Sequence, residues 1–166
     1  MKSAAGDGAT EAENGDVPDA FEIYRHLGDV FAVSDVNDDG VFECTEAVLT
    51  DYQTEPKTAT YLFLFKGPHG TQKKNVSFHV SPSTSPDKIT IYMDNNTEEK
   101  YEAQYLYTDY DTCTVVKGPY GGGNRCILLV ARDKADDVPE SCMTNFGEKC
   151  GVSVSLYNKD LCPDDE

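Results

Sequence analysis

The six cysteines are the residues of this 166-residue chain whose chemistry is easiest to interpret. Their number is even and they lack the paired short spacings that hold zinc, so they indicate three disulfides. Disulfides persist in oxidising compartments, which predicts a secreted, extracellular protein. Spacing alone leaves the pairing open among Cys44, Cys113, Cys126, Cys142, Cys150 and Cys162.

An acidic segment over residues 35–46, DVNDDGVFECTE, is the second candidate site, because it matches the calcium-loop pattern. Three features argue against calcium: a disulfide would claim Cys44, residues 47–53 carry no apolar helical stripe, and no second loop is present. We therefore predict an acidic hairpin turn and no metal site. The residues that match the pattern are Asp35, Asn37, Asp39, Gly40 and Glu46.

Catalytic residues are not grouped anywhere in the sequence. His26, His69 and His79 are dispersed, and no nucleophile elbow or phosphate-loop motif occurs. The glycine-rich segment 118–124, GPYGGGN, lies between two strand patterns and is typical of a hairpin loop. We predict a protein that is not an enzyme and has no cofactor.

The net charge of −16 argues against nucleic-acid and anionic-membrane partners, which favour Lys and Arg. It is compatible with a cationic ligand, but simple solubility is the favoured explanation. No run approaches the roughly 18 apolar residues of a membrane span. Two sequons predict glycosylation at Asn75 and Asn95.

Two helices are predicted at the ends of the folded region. Residues 1–16 are rich in Gly, Ala, Glu and Asp and predict a disordered acidic leader, so residues 17–166 form a single domain. A short helix begins at Asp19, which makes a capping-box pattern with Glu22 and is followed by apolar residues at helical spacing up to Gly28. The second helix covers 139–150, with Asp136 or Asp137 as its cap.

The rest of the chain alternates as eight or nine short strands with brief turns between them. Consecutive strands joined by short turns build a meander, so we predict an all-β fold in which an eight-stranded antiparallel barrel encloses room for one small ligand. The predicted strands are 30–33, 41–49, 58–65, 76–80, 89–93, 101–110, 112–117, 126–132 and 152–156.

The chain also has a specific order of motifs. It runs from Asp19-Ala20-Phe21 through Cys44, the FLF strand 63–65, YEAQYLYTDYDTC (101–113), CILLV (126–130), VPESC (138–142) and Phe146 to Cys162. In this order, over about residues 19–162, the chain resembles the tick salivary lipocalins, the group that includes the tick histamine-binding proteins. The resemblance implies a lipocalin barrel with a short N-terminal helix and a C-terminal helix packed on its wall. It also implies the bridges Cys44–Cys162 and Cys113–Cys142, and with them a third, Cys126–Cys150.

The amine-binding branch of that family holds its cationic ligand with acidic residues inside the barrel. This chain departs from that pattern, because Thr114 replaces an Asp, Gln104 falls in an acidic slot, and segment 127–130 lacks the expected Glu and Trp. The missing acidic residues therefore predict an uncharged interior. Within the family, this resembles the Japanin-like, sterol-binding branch or the eicosanoid-binding members. The interior residues expected are Phe63, Phe65, Phe78, Ile91, Gln104, Leu106, Thr114, Leu128, Val130 and Asp35.

The tyrosine-rich strand provides a separate surface. Successive strand residues point to opposite faces, so Tyr101, Tyr105 and Tyr107 would face outward if Gln104 faces the interior. There they would pack under the C-terminal helix or form a protein-binding patch.

Taken together, the sequence predicts a secreted salivary lipocalin, a monomer, that sequesters a small hydrophobic ligand of host origin. The expected ligand is a sterol, fatty acid or eicosanoid, and its removal would modulate host immune or inflammatory defence. One alternative is a scavenger of histamine or serotonin that uses Asp35, Glu43 or Glu102. Another is an immunomodulator whose outer surface binds an immune-cell receptor or a complement factor.

Overall fold

The computed structural model describes residues 17–35, 44–66, 73–118, 125–151 and 154–155. A short 3-10 turn, Arg132–Lys134, precedes the second helix. In chain order the helices and strands are α1 (Ala20–Leu27), β1 (Val30–Asp35), β2 (Glu46–Thr54), β3 (Lys57–Phe65), β4 (Lys74–Pro82), β5 (Lys88–Met93), β6 (Tyr101–Thr108), β7 (Cys113–Gly118), β8 (Arg125–Ala131), α2 (Glu140–Cys150) and β9 (Val154–Ser155).

The sheet closes on itself as a barrel of eight antiparallel strands. Strands β2 to β8 pair in sequence order, and β8 pairs with β1. The ring closes where Val30 and Phe31 of β1 pair with Ala47 and Glu46 of β2. Strand β9 joins β1 further along, opposite residues 34–35. The predicted eight-stranded antiparallel barrel is confirmed.

Helix α1 begins and ends where the sequence predicts. The Asp19 carboxylate accepts hydrogen bonds from the backbone N–H groups of Phe21 and Glu22 at 3.1 and 3.4 Å. The reciprocal half of the capping box is not formed, because Glu22 pairs with Arg25 at 2.7 Å and the Asp19 N–H donates to the Tyr110 hydroxyl. Gly28 ends the helix with a φ of 61°, a conformation that glycine adopts without strain.

Helix α1 lies across one end of the barrel. It is tied to three turns at that end: the Tyr52 hydroxyl donates to the Phe21 carbonyl at 3.2 Å, the Ala20 N–H donates to the Pro86 carbonyl at 2.9 Å, and Tyr110 bonds to Asp19. These partners lie near the β2–β3, β4–β5 and β6–β7 turns, so α1 closes this end. Its apolar face is buried and consists of Ala20, Phe21, Ile23, Tyr24 and Leu27.

A charged cluster ties strand ends together near α1. Arg132, just after β8, forms ion pairs with Glu46 of β2 and with Asp29, the latter at 3.3 Å. The Asp29 carboxylate also accepts from the Leu49 N–H at 2.9 Å. This cluster therefore links β8, β2 and the start of β1.

Helix α2 packs on the outer wall and forms a second apolar core there. Its Cys142 and Phe146 are fully buried against the outward faces of β7 and β8. Val115 of β7 and Leu128 of β8 belong to the same apolar cluster. The disulfides Cys113–Cys142 and Cys126–Cys150 join the helix to β7 and β8. The predicted partner of Cys44, Cys162, lies outside the described residues.

Several boundaries differ from the prediction. Strand β2 continues to Thr54, and its register with β3 shifts at a bulge between Leu49 and Asp51. Residues 41–43 of the predicted strand lie outside the described part. Helix α2 begins at Glu140, since Pro139 is extended and serves as an N-cap without a side-chain hydrogen bond from Asp136 or Asp137. The leader 1–16 also lies outside the described residues.

Candidate functional site

The barrel contains a cavity that is lined by α1 and by all eight barrel strands. The space open to the centre of a water molecule is about 40 Å³. When the radius of a water molecule is added on all sides, the volume that a ligand could occupy becomes roughly 150–200 Å³. This is the scale of an apolar cavity that holds benzene. The lining residues are Ile23, Tyr24, Leu27, Val30, Ala47, Tyr61, Phe63, Phe78, Val80, Ile89, Ile91, Tyr105, Thr114, Val116, Ile127 and Leu129.

Aromatic rings form much of this lining. The Tyr24 ring of α1 meets Tyr61 and Tyr105 edge to face, with centroids 5.3 and 5.9 Å apart. Phe63 and Phe78 stack with centroids 4.3 Å apart. Flat faces and edges of this kind favour a flat, apolar occupant.

Four lining residues carry a polar side-chain atom, and all four atoms are hydroxyl oxygens. Tyr61 donates to the Gly28 carbonyl at 2.8 Å, and Thr114 donates to the Tyr107 carbonyl at 2.8 Å. Tyr105 donates to the hydroxyl of Tyr24 at 2.9 Å. The Tyr61 and Tyr105 bonds hold α1 against β3 and β6. All three bonds satisfy groups that are removed from water.

The buried phenols remain neutral over the physiological range. Burial raises the pKa of Tyr61 well above its usual value, and the nearby Asp29 carboxylate raises it further. Burial likewise raises the pKa of Tyr105, although its hydrogen bond with Tyr24 acts in the opposite direction. A phenolate would have to give up its hydration here without a compensating charge.

None of the lining residues has a charged side chain. Asp87 is buried outside the cavity, where it accepts hydrogen bonds from Ser85 and Gln104, and Glu102 is exposed. Asp35 pairs in register with Ile127, a lining residue, although its side chain is outside the described part.

The structure brings five of the ten expected interior residues together. Phe63, Phe78, Ile91 and Thr114 line the cavity. Phe65 belongs to the same interior core and lies 5.7 Å from Phe63 between ring centroids.

The prediction was wrong for four other expected interior residues, whose side chains lie on the outer face of the barrel. Leu128 and Val130 are fully buried beneath α2, and Leu106 packs against the same core. Gln104 donates to Asp87 at 2.8 Å on the outer side of β6. The cause is strand alternation, because Ala103 and Tyr105 take the inward positions of β6, and Ile127 and Leu129 those of β8.

The expected outward face of tyrosines is also divided. Tyr105 lines the cavity, whereas Tyr107 is buried beneath α2. The register between β6 and β7 shifts between these residues, so Leu106 forms a bulge and the next side chain reverses its side. A bulge changes the alternation of inward and outward positions, and nothing in the sequence YEAQYLYT marks it.

One signal in the sequence could have placed β7 and β8 correctly. Cys113 and Cys126 are bonded to a helix outside the barrel, so residues two positions further along each strand share that outward face. Val115 and Leu128 are therefore outward, and Thr114 and Ile127 inward. By contrast, no comparable signal in the sequence predicted that α1 lines the cavity.

The remaining predicted sites lie away from the cavity. Asn75 on β4 and Asn95 in the β5–β6 turn are exposed. Of the calcium-loop lookalike, Asn37, Asp39 and Gly40 lie outside the described residues, and Glu46 pairs with Arg132.

One group of possible metal-binding side chains occurs in the described part, at Asp109, Cys113 and Cys142. The two cysteine sulfurs are bonded to each other. The Asp109 carboxylate accepts from the backbone N–H groups of Asp111, Thr112 and Cys113 at 2.7–3.1 Å. This carboxylate therefore organises the β6–β7 turn.

A closed eight-stranded barrel with an internal cavity, a helix across one end and a helix on its wall defines a lipocalin-type ligand-binding protein. The family model described as "Tick histamine binding protein" matches residues 30–163. The chain therefore belongs to the tick histamine-binding protein family. A search of curated proteins finds no match.

Solved structures show the same fold at low sequence identity. The AM182 serotonin complex has a TM-score of 0.65 and 19% identity, covering 87% of this chain and 92% of that chain. Japanin from Rhipicephalus appendiculatus bound to cholesterol has a TM-score of 0.60 and 13% identity, covering 78% and 91%. Lobster apocrustacyanin A1 has a TM-score of 0.62 and 11% identity, covering 95% and 89%.

Neither helix in the described part of the chain has the length and apolar character needed to cross a lipid bilayer.

Proposed function

We propose that this protein is a secreted salivary lipocalin that sequesters a small, mainly apolar ligand of host origin and so modulates host immune or inflammatory defence. The observation that carries the proposal is the cavity inside the barrel, where no lining residue is charged. An apolar molecule gains about 25 cal/mol for each Å² of surface that leaves water. A charged molecule would lose its hydration there without a described counter-charge. Two bridges between α2 and the barrel support secretion, because they need an oxidising compartment.

The cavity size refines the expected ligand. A volume of roughly 150–200 Å³ suits a molecule of one or two rings. Japanin is bound to cholesterol, but four fused rings exceed the described cavity of this chain. Sterols, fatty acids and eicosanoids all have a larger molecular volume than this cavity, so each would require the barrel to widen. Compounds of one or two rings are the ligands that the geometry favours.

Mass spectrometry of whatever co-purifies from animal-cell expression tests the proposal. We expect a small apolar compound in wild-type protein and its loss in Val116→Phe, which places a larger side chain in the cavity. Val48→Phe, at a half-exposed position of β2 that does not line the cavity, is the matched control and should retain the compound. Circular dichroism verifies that both variants fold. An empty wild-type barrel that also takes up no added apolar compound would contradict the proposal.

Amine scavenging is a second candidate, and one observation favours it. Asp35 stands opposite Ile127 in the β1–β8 register, next to the cavity wall. The AM182 structure, 19% identical, is a serotonin complex. A carboxylate at this position could pair with an ammonium group in surroundings of low dielectric constant.

Calorimetry with histamine and serotonin separates the two candidates. Amine scavenging requires tight binding by wild-type protein, a large loss in Asp35→Asn, and no change in Glu102→Gln, whose side chain is exposed. If wild-type protein does not bind either amine while it retains an apolar compound, the first candidate stands alone.

A further inference from the structure

The hydroxyl groups of the cavity are unequal in what they offer a ligand. Tyr105, Tyr61 and Thr114 each use their single O–H to donate within the protein, to Tyr24, Gly28 and Tyr107 respectively. A hydroxyl oxygen can also accept hydrogen bonds through its lone pairs. Among the described residues, no group donates to the oxygens of Tyr105, Tyr61 or Thr114. The cavity thus presents acceptors whose own protons are already engaged.

Tyr105 is the acceptor whose own ring also contacts the ring of Tyr24 on α1, with centroids 5.9 Å apart. Its O–H donates to a second hydroxyl, that of Tyr24, in a buried hydrogen bond. Donation polarises a hydroxyl and strengthens its oxygen as an acceptor, and low dielectric surroundings increase the effect. A ligand carbonyl or carboxylate would not gain from this arrangement, because the phenol proton already has a partner.

We propose that the ligand of this cavity is an uncharged, flat molecule of one or two rings that donates an O–H or N–H to the hydroxyl oxygen of Tyr105. This inference rests on the proposed function and narrows it to a chemical class. The ring contacts among Tyr24, Tyr61 and Tyr105 supply aromatic edges and faces beside that oxygen. The ligand enters with its apolar rings along Phe63 and Phe78 and its donor toward α1.

Three bicyclic probes of nearly equal shape test the inference. Indole has an N–H donor, benzofuran has an acceptor oxygen at the same position, and indene has neither. We expect indole to bind wild-type protein roughly five- to tenfold more tightly than indene, the gain expected of one buried hydrogen bond. Benzofuran should bind no better than indene. Isothermal titration calorimetry measures all three.

Two variants place the effect at Tyr105. Tyr105→Phe removes the oxygen and keeps the ring, so indole and indene should bind this variant with equal affinity. Tyr107→Phe is the matched control, because Tyr107 is on the same strand but is buried beneath α2. It should keep the preference for indole. The comparison among probes on wild-type protein stands independently if either variant fails to fold.

The outcomes separate this inference from the function on which it rests. Equal binding of the three probes, tighter binding of benzofuran, or a preference that survives Tyr105→Phe would overturn the inference while the apolar cavity remains a ligand site. If none of the probes binds, both the inference and the proposed function of this cavity fail.

Discussion

The polar atoms of this interior are the hydroxyl groups of buried residues, and none of them is charged. Tyr61 anchors the end of α1 through Gly28, and Tyr105 reaches Tyr24 in the middle of that helix. Each hydroxyl contributes about 1 kcal/mol to folding when its partner is present. Because both phenols are buried and neutral, the same residues also make stability depend on pH at its alkaline end.

The free energy of unfolding should stay level up to about pH 9 and decrease above about pH 10. Burial raises the pKa of Tyr61 and Tyr105 in the folded state, so the unfolded chain loses these protons first and gains stability as the pH rises. Each group contributes a slope of up to about 1.4 kcal/mol per pH unit. Urea denaturation at several alkaline pH values measures this. The variant Tyr105→Phe should have a shallower decline, and a flat wild-type profile to about pH 11 would contradict the explanation.

At the scale of elements, α2 depends on its bridges more than on its own sequence. Within the helix, Cys142 and Phe146 are its fully buried side chains, and its first turn lacks a side-chain cap. An isolated helix of this length is marginal in water. The bridges to β7 and β8 hold it on the wall, where it covers apolar residues that would otherwise face solvent.

Replacing both Cys126 and Cys150 by alanine should lower the free energy of unfolding by about 3 kcal/mol. The two residues are 24 positions apart, and a loop of that length restricts the unfolded chain by about this amount. Helix α2 should remain attached through Cys113–Cys142, so far-ultraviolet circular dichroism should change little. Urea denaturation compares the variant with wild-type protein under non-reducing conditions. A change below about 1 kcal/mol would show that this bridge does not constrain the chain.

At the scale of the whole molecule, the barrel has two unlike ends. Helix α1 and the Arg132 cluster cover the end with the β2–β3, β4–β5 and β6–β7 turns. The β5–β6 turn belongs to the opposite end, as does the beginning of β4. Both predicted glycosylation sites, Asn75 and Asn95, are exposed at that opposite end. Glycans there would leave the α1 end and the α2 wall uncovered.

Protein made in animal cells should carry a glycan at each of these two residues. Asn75→Gln and Asn95→Gln should each remove one glycan, because both sequons are intact and both side chains are exposed. Intact-mass measurement before and after enzymatic deglycosylation counts the glycans. The variant Asn96→Gln leaves its sequon intact and is the control. A wild-type mass equal to that of the bare chain would contradict this prediction.

The strands and helices were predictable because they depend on local patterns. Asp19 and Gly28 delimit α1 through capping and backbone conformation, and the apolar residues of Thr58–Phe65 already predict the core of β3. The cavity was predictable only in part. Phe63 and Phe78 were placed inside correctly, whereas Leu128 and Val130 were placed one position out of phase. A shift of one residue in a strand exchanges its two faces completely.

The sequence by itself determined the strands, their antiparallel order and the family. It also predicted that the interior is uncharged, because all of these depend on residue type and order. Only the tertiary structure decided which face of each strand meets the cavity. The bulge at Leu106 reverses the alternation of β6, and the disulfides orient β7 and β8 against α2. Tyr24, Tyr61 and Tyr105 meet across 81 positions of chain, from three separate elements. Contacts of that kind follow from closure of the barrel, which no local pattern encodes.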